Sequence, residues 1–169
     1  MNYINKGRRD ILIIPNFEDI EEIQEIRKKY DELYKIIPPH ITLAFPFKDE
    51  ISNEDLKIKL KELLKDVKPF KVRCKEISLE EDKKVETFYI FLNISEGKEI
   101  IKDINKKIYT EILNKPIIKN YKPHITLGNT NNPNEIIELD KEFETVVDTI
   151  IVERIGENEE SIIEFEIEL

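Results

Sequence analysis

Two histidines are all the imidazole this 169-residue chain has, and both lie in one repeated pentapeptide. It reads Pro39-His40-Ile41-Thr42-Leu43 and again Pro123-His124-Ile125-Thr126-Leu127. With an ordinary pKa near 6.5, one imidazole can be neutral while a partner is protonated near neutral pH. The neutral ring can take a proton from an attacking water and the charged ring can give one to a leaving oxygen. Two threonine hydroxyls can donate to non-bridging phosphate oxygens, where charge builds in the transition state. Together these groups suit cleavage of a phosphodiester without a metal. No Asp/Glu cluster beside either motif suggests a catalytic metal, and no glycine-rich loop suggests a nucleotide cradle.

That chemistry needs the two segments on strands, face to face. On a strand, residues i and i+2 share a face, so His40 projects with Thr42 and His124 with Thr126. The intervening Ile41 and Ile125, with Leu43 and Leu127, point into a core. Proline ahead of each histidine forces extended backbone at the start of the strand.

The flanking elements recur as well. Asp10–Pro15 reads as a buried strand. Glu18–Tyr34 reads as an amphipathic helix, with Ile20, Ile23, Ile26, Tyr30 and Leu33 at intervals of three and four. His40–Phe47 follows as a strand. A helix capped by Ser52 comes next, carrying Leu56, Leu60, Leu63, Leu64 and Val67. Strands are expected over Phe70–Leu79 and Thr87–Ile94, joined by a solvated turn at Glu80–Lys84. A second long helix starts at Ser95 or Gly97, with an apolar stripe of Ile100, Ile101, Ile104, Ile108, Ile112 and Leu113. The second histidine strand follows Pro123, then a short helix over Glu135–Lys141. Val146–Ile155 and Ser161–Leu169 form a terminal hairpin with one wet face.

The histidines are 84 positions apart, about half the chain. The expectation is an α+β fold, bilobal and pseudo-two-fold, with antiparallel sheets facing a central cleft and helices outside. It is one domain over 1–169, with repeat halves of roughly 10–80 and 87–169.

Composition narrows the class. A net charge of −9 argues against a broad basic face for duplex DNA but leaves room for a local phosphate cleft. The lone Cys74 has no disulfide or zinc partner and reads as core. No run of apolar residues is long enough to span a bilayer, and Met1–Asp10 lacks the apolar core of a signal peptide. The expected setting is the cytoplasm, as a monomer, with no cofactor and no metal.

The tetrads His40-Ile41-Thr42-Leu43 and His124-Ile125-Thr126-Leu127 resemble the signature of the 2H phosphoesterase superfamily. That group includes the 2'-5' RNA ligase-like proteins and the cyclic phosphodiesterases. The resemblance covers nearly the whole chain. It implies a bilobal fold with His40 and His124 as the acid/base pair and Thr42 and Thr126 on phosphate. It also implies opening of 2',3'-cyclic phosphates or a related nucleotide or RNA-end phosphoester. The RNA-ligase-like branch often has an arginine three residues after the second threonine; here that residue is Asn129, and Phe45 occupies the matching place in the first motif. The rival function is a non-catalytic module that binds a nucleotide or phosphorylated ligand in the same cleft. A third reading is a structural protein with a fortuitous repeat.

Other residues read more plainly. Phe45, Phe47, Tyr89 and Phe91 are expected to pack in the core rather than stack on a base. Tyr121 and Lys122, just before the second motif, read either as phosphate contacts or as a solvated loop, and Arg154 either as facing the cleft or as a cross-strand partner of Glu164 or Glu166.

Overall fold

A computed structural model describes residues 6–169, so part of the stretch read for a signal segment, 1–5, lies outside it. The elements run β1 (Arg9–Ile13), α1 (Ile20–Tyr30), β2 (Ile41–Phe47), α2 (Asn53–Leu64), β3 (Phe70–Asp82), β4 (Thr87–Glu96), α3 (Lys98–Lys107), β5 (His124–Thr130), β6 (Phe143–Val147), β7 (Thr149–Ile155) and β8 (Ser161–Glu168). Helix α3 continues as a π-helical turn over Ile108–Ile112. The eight strands make one curled antiparallel sheet in the order β6-β3-β4-β5-β2-β1-β7-β8. The α+β, two-lobed arrangement expected from the repeat is what the chain adopts.

The two motif strands, β5 and β2, meet at the middle of the sheet, and four strands lie on each side of the line between them. Sequence order and sheet order are different partitions of the chain. Strand β3 sits with β4 and β5, while β7 and β8 return to cover β1. One half of the sheet is therefore built from both ends of the chain.

The helix-covered face of the sheet carries the main core. Ile11, Ile41, Leu43, Leu92, Ile125 and Leu127 are buried there under Ile23 of α1, Leu56, Leu60 and Leu64 of α2, and Ile101 and Ile104 of α3. Helix α2 starts as its sequence dictates, with the Ser52 hydroxyl accepting from the Asp55 amide at 3.1 Å, which satisfies one orphan donor of the first turn. Gly97 opens α3 from left-handed backbone, φ 86°, a conformation that glycine adopts without a Cβ clash.

Three expectations about elements fail. No helix forms over Glu135–Lys141; the Asn132 side chain accepts from the Asn134 amide in a local turn, and no helix follows it. The apolar run Val146–Ile155 is not one strand. Asp148 divides it, so that β6 pairs with β3 and β7 pairs with β1 and β8, at opposite ends of the sheet. The turn expected at Glu80–Lys84 starts later, because β3 runs on to Asp82 and keeps Glu80 within the ladder opposite Tyr89. Among the described residues, no helix is long and apolar enough to cross a membrane.

Candidate active site

Strands β2 and β5 share a single ladder pair, Ile41 opposite Ile125. Both isoleucines are fully buried in the core under the helices, so their neighbours in sequence face the opposite side of the sheet. Continued by one position each way, the antiparallel register sets His40 across from Thr126 and Thr42 across from His124. The four residues singled out in the sequence therefore flank that ladder pair on one face of the sheet. Each motif repeats the same pattern: proline buried, histidine half-buried, isoleucine buried, threonine half-buried, leucine buried.

The repeat extends to backbone irregularities. Leu12 pairs with Thr42 and Ile11 with Ala44, which leaves Leu43 as the extra residue of a bulge. Phe91 pairs with Thr126 and Ile90 with Gly128, so Leu127 is the extra residue in the other half. A bulge turns the strand locally and fixes which side chains face out after it. Both leucines are fully buried, which anchors the bulges just behind the threonines.

The rings are oriented alike. Nδ1 of His40 bonds the Pro38 carbonyl at 2.9 Å, and Nδ1 of His124 bonds the Lys122 carbonyl at 2.7 Å. A carbonyl only accepts, so Nδ1 carries the proton in each ring and Nε2 is left as the exchangeable nitrogen. Burial lowers the pKa of both imidazoles, and the carbonyl contacts oppose that shift. The charge of His40 further lowers the pKa of His124, so the two rings feel each other.

The surroundings of the two rings differ. His124 stacks on Phe91 with ring centroids 3.5 Å apart, and Phe91 in turn faces Tyr89 at 6.1 Å. In the other half the position of Phe91, opposite the threonine, is held by Leu12. Lys122 beside His124 lowers its pKa, while Glu80 raises it. Glu80 is itself held below the usual carboxylate range, chiefly by the hydrogen bond from Lys122 at 2.7 Å. His40 feels Glu153 and Asp31 as anions and Arg27 as a cation. The ladder pairs Asp10 with Glu153 and Tyr89 with Glu80, so Glu153 and Glu80 occupy matching places in the two halves.

Arg27 was not singled out in the sequence, yet it is 2% exposed and shapes the approach to His40. Its Nε donates to Asp31 at 2.8 Å, one terminal nitrogen to Gln24 at 3.0 Å and the other to the Ile37 carbonyl at 2.8 Å. These bonds tie α1 to the segment that delivers Pro38, Pro39 and His40. The signal was available: Arg27 follows Ile23 by four and precedes Tyr30 by three, in the middle of the apolar stripe.

Other expectations are revised. Phe47 is core, but Phe45 is 41% exposed, and Tyr89 and Phe91 form the aromatic row beside His124. Phe45, Phe91, Tyr121, Lys122, Glu80 and His124 line a cavity of about 270 Å³; His40, Thr42 and Thr126 do not border it. Tyr121 is no solvated loop residue, since its hydroxyl donates to the Thr42 carbonyl at 2.7 Å. Arg154 does bond Glu164, at 2.7 Å. Cys74 is buried, and burial pushes its thiol up to about 12. Among the described residues, no group of three or more His, Cys, Asp or Glu could hold a metal.

Comparison with known proteins bears on the family and the fold. A candidate phosphoesterase of Geobacillus sp. (strain WCH70) is 31% identical over 128 residues, 70% of this chain and 66% of its own. Another, from Bacillus licheniformis, is 27% identical over 125 residues, 70% of this chain and 68% of its own. The chain thus spans about two thirds of the length of these curated relatives. Among solved structures, the TT0787 protein of Thermus thermophilus matches with a TM-score of 0.62 at 16% identity, covering 96% of this chain and 97% of that one. Apo LigT of E. coli matches with a TM-score of 0.55 at 16% identity, covering 96% and 97%. These two likenesses establish the fold. Since the family model of the 2'-5' RNA ligase superfamily matches residues 15–158, a span that holds both histidine motifs, the chain belongs to that superfamily, the group of 2H phosphoesterases.

Proposed function

We propose that the chain, as one bilobal domain over 1–169, is a metal-independent phosphoesterase that opens 2',3'-cyclic phosphates of nucleotides or RNA ends. The observation that carries this reading is the pair of His-x-Thr segments flanking one ladder pair, Ile41 and Ile125, with both Nδ1 atoms committed to backbone carbonyls. The free Nε2 atoms can then act on opposite sides of one phosphorus. A water attacks phosphorus while a neutral imidazole takes its proton. The bond from phosphorus to the 2' or 3' oxygen breaks as the imidazolium protonates that oxygen. Thr42 and Thr126 donate to the non-bridging oxygens as their charge grows. His40 and His124 are the acid/base pair. The candidate-phosphoesterase relatives support the reaction class. The E. coli LigT structures, titled as complexes with 3'-AMP and with phosphate, support a nucleotide-sized ligand for the fold. The protein is expected to act as a cytoplasmic monomer.

The test is turnover of 2',3'-cyclic nucleotides in excess EDTA, with His40→Ala and His124→Ala beside the wild type. Each single variant should lose about 10³-fold or more in kcat, since acid and base act in one step, with thermal stability retained. Full activity in either variant rejects the two-histidine mechanism. If a panel of cyclic and linear phosphoesters binds the wild type and none turns over, the non-catalytic binding module is the correct reading.

A further inference from the structure

Phe91 owes its place beside His124 to the sheet. Its neighbours in β4, Ile90 and Leu92, are fully buried in the core, so the Phe91 ring projects on the opposite face, the one that carries the histidines. The ladder sets Phe91 across from Thr126 and Asn93 across from His124. An aromatic side chain reaches its diagonal neighbour on the facing strand, while the directly opposite Asn93 spends its amide on Ser78 at 3.0 Å. The phenyl ring therefore lies flat on the imidazole of His124, with centroids 3.5 Å apart and planes 15° from parallel.

The stack adds a second restraint to a ring that already has one. The Nδ1 contact to the Lys122 carbonyl at 2.7 Å holds one edge of the imidazole, and the phenyl face holds its plane, although the last torsion of histidine is intrinsically broad. Stacking also acts on charge. The face of an aromatic ring is the negative side of its quadrupole and attracts a cation laid on it. The charged groups around His124 are His40 and Lys122, which disfavour its imidazolium, and Glu80, which favours it. Glu80 already accepts from Lys122 at 2.7 Å. In the other half the place of Phe91 belongs to Leu12, opposite Thr42, an aliphatic side chain with no such face to offer His40.

Resting on the reading of His124 as one member of an acid/base pair, we propose that Phe91 is its positioning residue: the phenyl ring fixes the imidazole plane and favours the imidazolium over the neutral ring. The bias is built into one half of the site only. Two motifs of identical sequence thus hold two unlike histidines, and the difference comes from β4 and β1, not from the motifs themselves.

The chain has only two histidines, so its imidazole NMR spectrum holds one set of signals from each, and His40→Ala assigns them. Titration of the wild type, Phe91→Leu and Phe91→Tyr then tests the stack without any substrate. In the wild type the Cε1 proton of His124 should lie upfield of that of His40, as a proton held over a ring face does. Phe91→Leu copies the other half and keeps the site apolar. It should abolish that upfield displacement and lower the pKa of His124 by about 0.5 pH units, moving His40 less. Phe91→Tyr keeps a ring face and should keep both features. In turnover of a 2',3'-cyclic nucleotide, Phe91→Leu should lose about tenfold in kcat. The limb of the kcat/KM profile that His124 governs should move toward acid by the same amount as its pKa. Coincident Cε1 shifts for the two histidines in the wild type overturn the proposal before any variant is made. An unmoved His124 pKa in Phe91→Leu overturns it too, even where the melting temperature falls, because Phe91 is then a packing residue only. So does an equal shift in Phe91→Leu and Phe91→Tyr, since the ring face is then not the cause. If no cyclic phosphate is turned over, the hydrolase reading fails while the titration still decides the role of Phe91.

Discussion

At His40 and His124 the same carbonyl contact, two residues upstream, fixes the ring and its tautomer. What differs is the charge around each ring, and that sets how catalysis should respond to pH. The base must be neutral, so the rate rises as pH climbs through its pKa. The acid must be protonated, so the rate falls as pH climbs through the other. Burial lowers both pKa values, and repulsion from His40 lowers that of His124 further. Both limbs of the kcat/KM profile therefore move toward acid, and the bell should peak at or below about pH 6.5. Bound phosphate is an anion that favours the imidazolium, so the kcat profile should sit higher on the pH axis than that of kcat/KM. A kcat/KM that keeps rising to about pH 9 would contradict paired imidazole catalysis. The roles of acid and base belong to the pair, because the two titrations are coupled.

The elements show what a single sequence can and cannot specify. Strands β2 and β5, helix α2 and the stripe of Ile101, Ile104, Ile108 and Ile112 were legible because proline, capping chemistry and apolar spacing act within a few residues, whereas Ile100, expected in that stripe, is 40% exposed. Leu43 and Leu127 were legible as core but not as bulges, since a bulge is a property of two strands and only one is visible at a time. The division of Val146–Ile155 escaped notice for the same reason: Asp148 separates strands whose partners, β3 and β1, lie far away in sequence. Phe91 and Glu80 were misread because a face of a strand becomes a cleft only when the other half of the sheet is present. Gly128 is a case where the element demands the residue. Its φ is +131°, and a Cβ there would stand 2.2 Å from the Tyr30 carbonyl oxygen and 2.3 Å from its carbon. Helix α1 thus ends directly against β5, two residues beyond Thr126. Gly128→Ala must displace backbone, not a flexible side chain, and should cost at least about 2–4 kcal/mol in urea unfolding. It should also lower kcat, because the displaced strand carries His124 and Thr126. A fully stable and active Gly128→Ala would show that α1 and β5 can separate without consequence.

Across the whole molecule, the two halves of the sheet are joined by one ladder pair, and side chains replace the rest of that ladder. The Leu43 carbonyl accepts from Asn105 at 2.8 Å, the Thr42 carbonyl accepts from Tyr121 at 2.7 Å, and the Phe45 amide donates to Tyr109 at 3.1 Å. These bonds come from α3, its π-helical extension and the segment before β5, all belonging to the other half. They set the spacing of the motif strands, and so the gap that a phosphate would enter. Asn105 is 3% exposed, so Asn105→Ala leaves a buried carbonyl unpaired and should cost about 1–3 kcal/mol. Because Thr42 follows the strand, the loss should appear in kcat/KM as well as in stability. A variant that is less stable but fully active would mean that the Ile41–Ile125 pair alone holds the site.

The face opposite the helices also carries a buried carboxyl pair that makes the stability of the fold depend on pH. Asp10 is 7% exposed and Glu153 1% exposed, and they face each other across the β1–β7 ladder. Burial, then repulsion from Glu153 and the hydrogen bond to it, pushes the Asp10 carboxyl up to about 9 from an ordinary value of 3.8. Its Oδ1 has no hydrogen-bond partner, as ill suits a buried anion. The sign of the consequence follows from proton counting. Between about pH 4 and pH 9 the folded chain keeps this proton and the unfolded chain releases it, so the folded state binds more protons. Stability must then fall as pH rises through that window, contrary to the ordinary carboxylate, which stabilises on ionising. Asp10→Asn keeps the shape and the neutral polarity without the titration. It should flatten the slope and stabilise the protein at pH 8 by roughly 2 kcal/mol, a Tm gain of roughly 4–8 °C for a domain of this size. Scanning calorimetry from pH 5 to pH 9 on both proteins checks this. Parallel Tm curves for wild type and Asp10→Asn would mean that Asp10 releases its proton as readily in the fold as outside it, and that the carboxyl pair carries no cost.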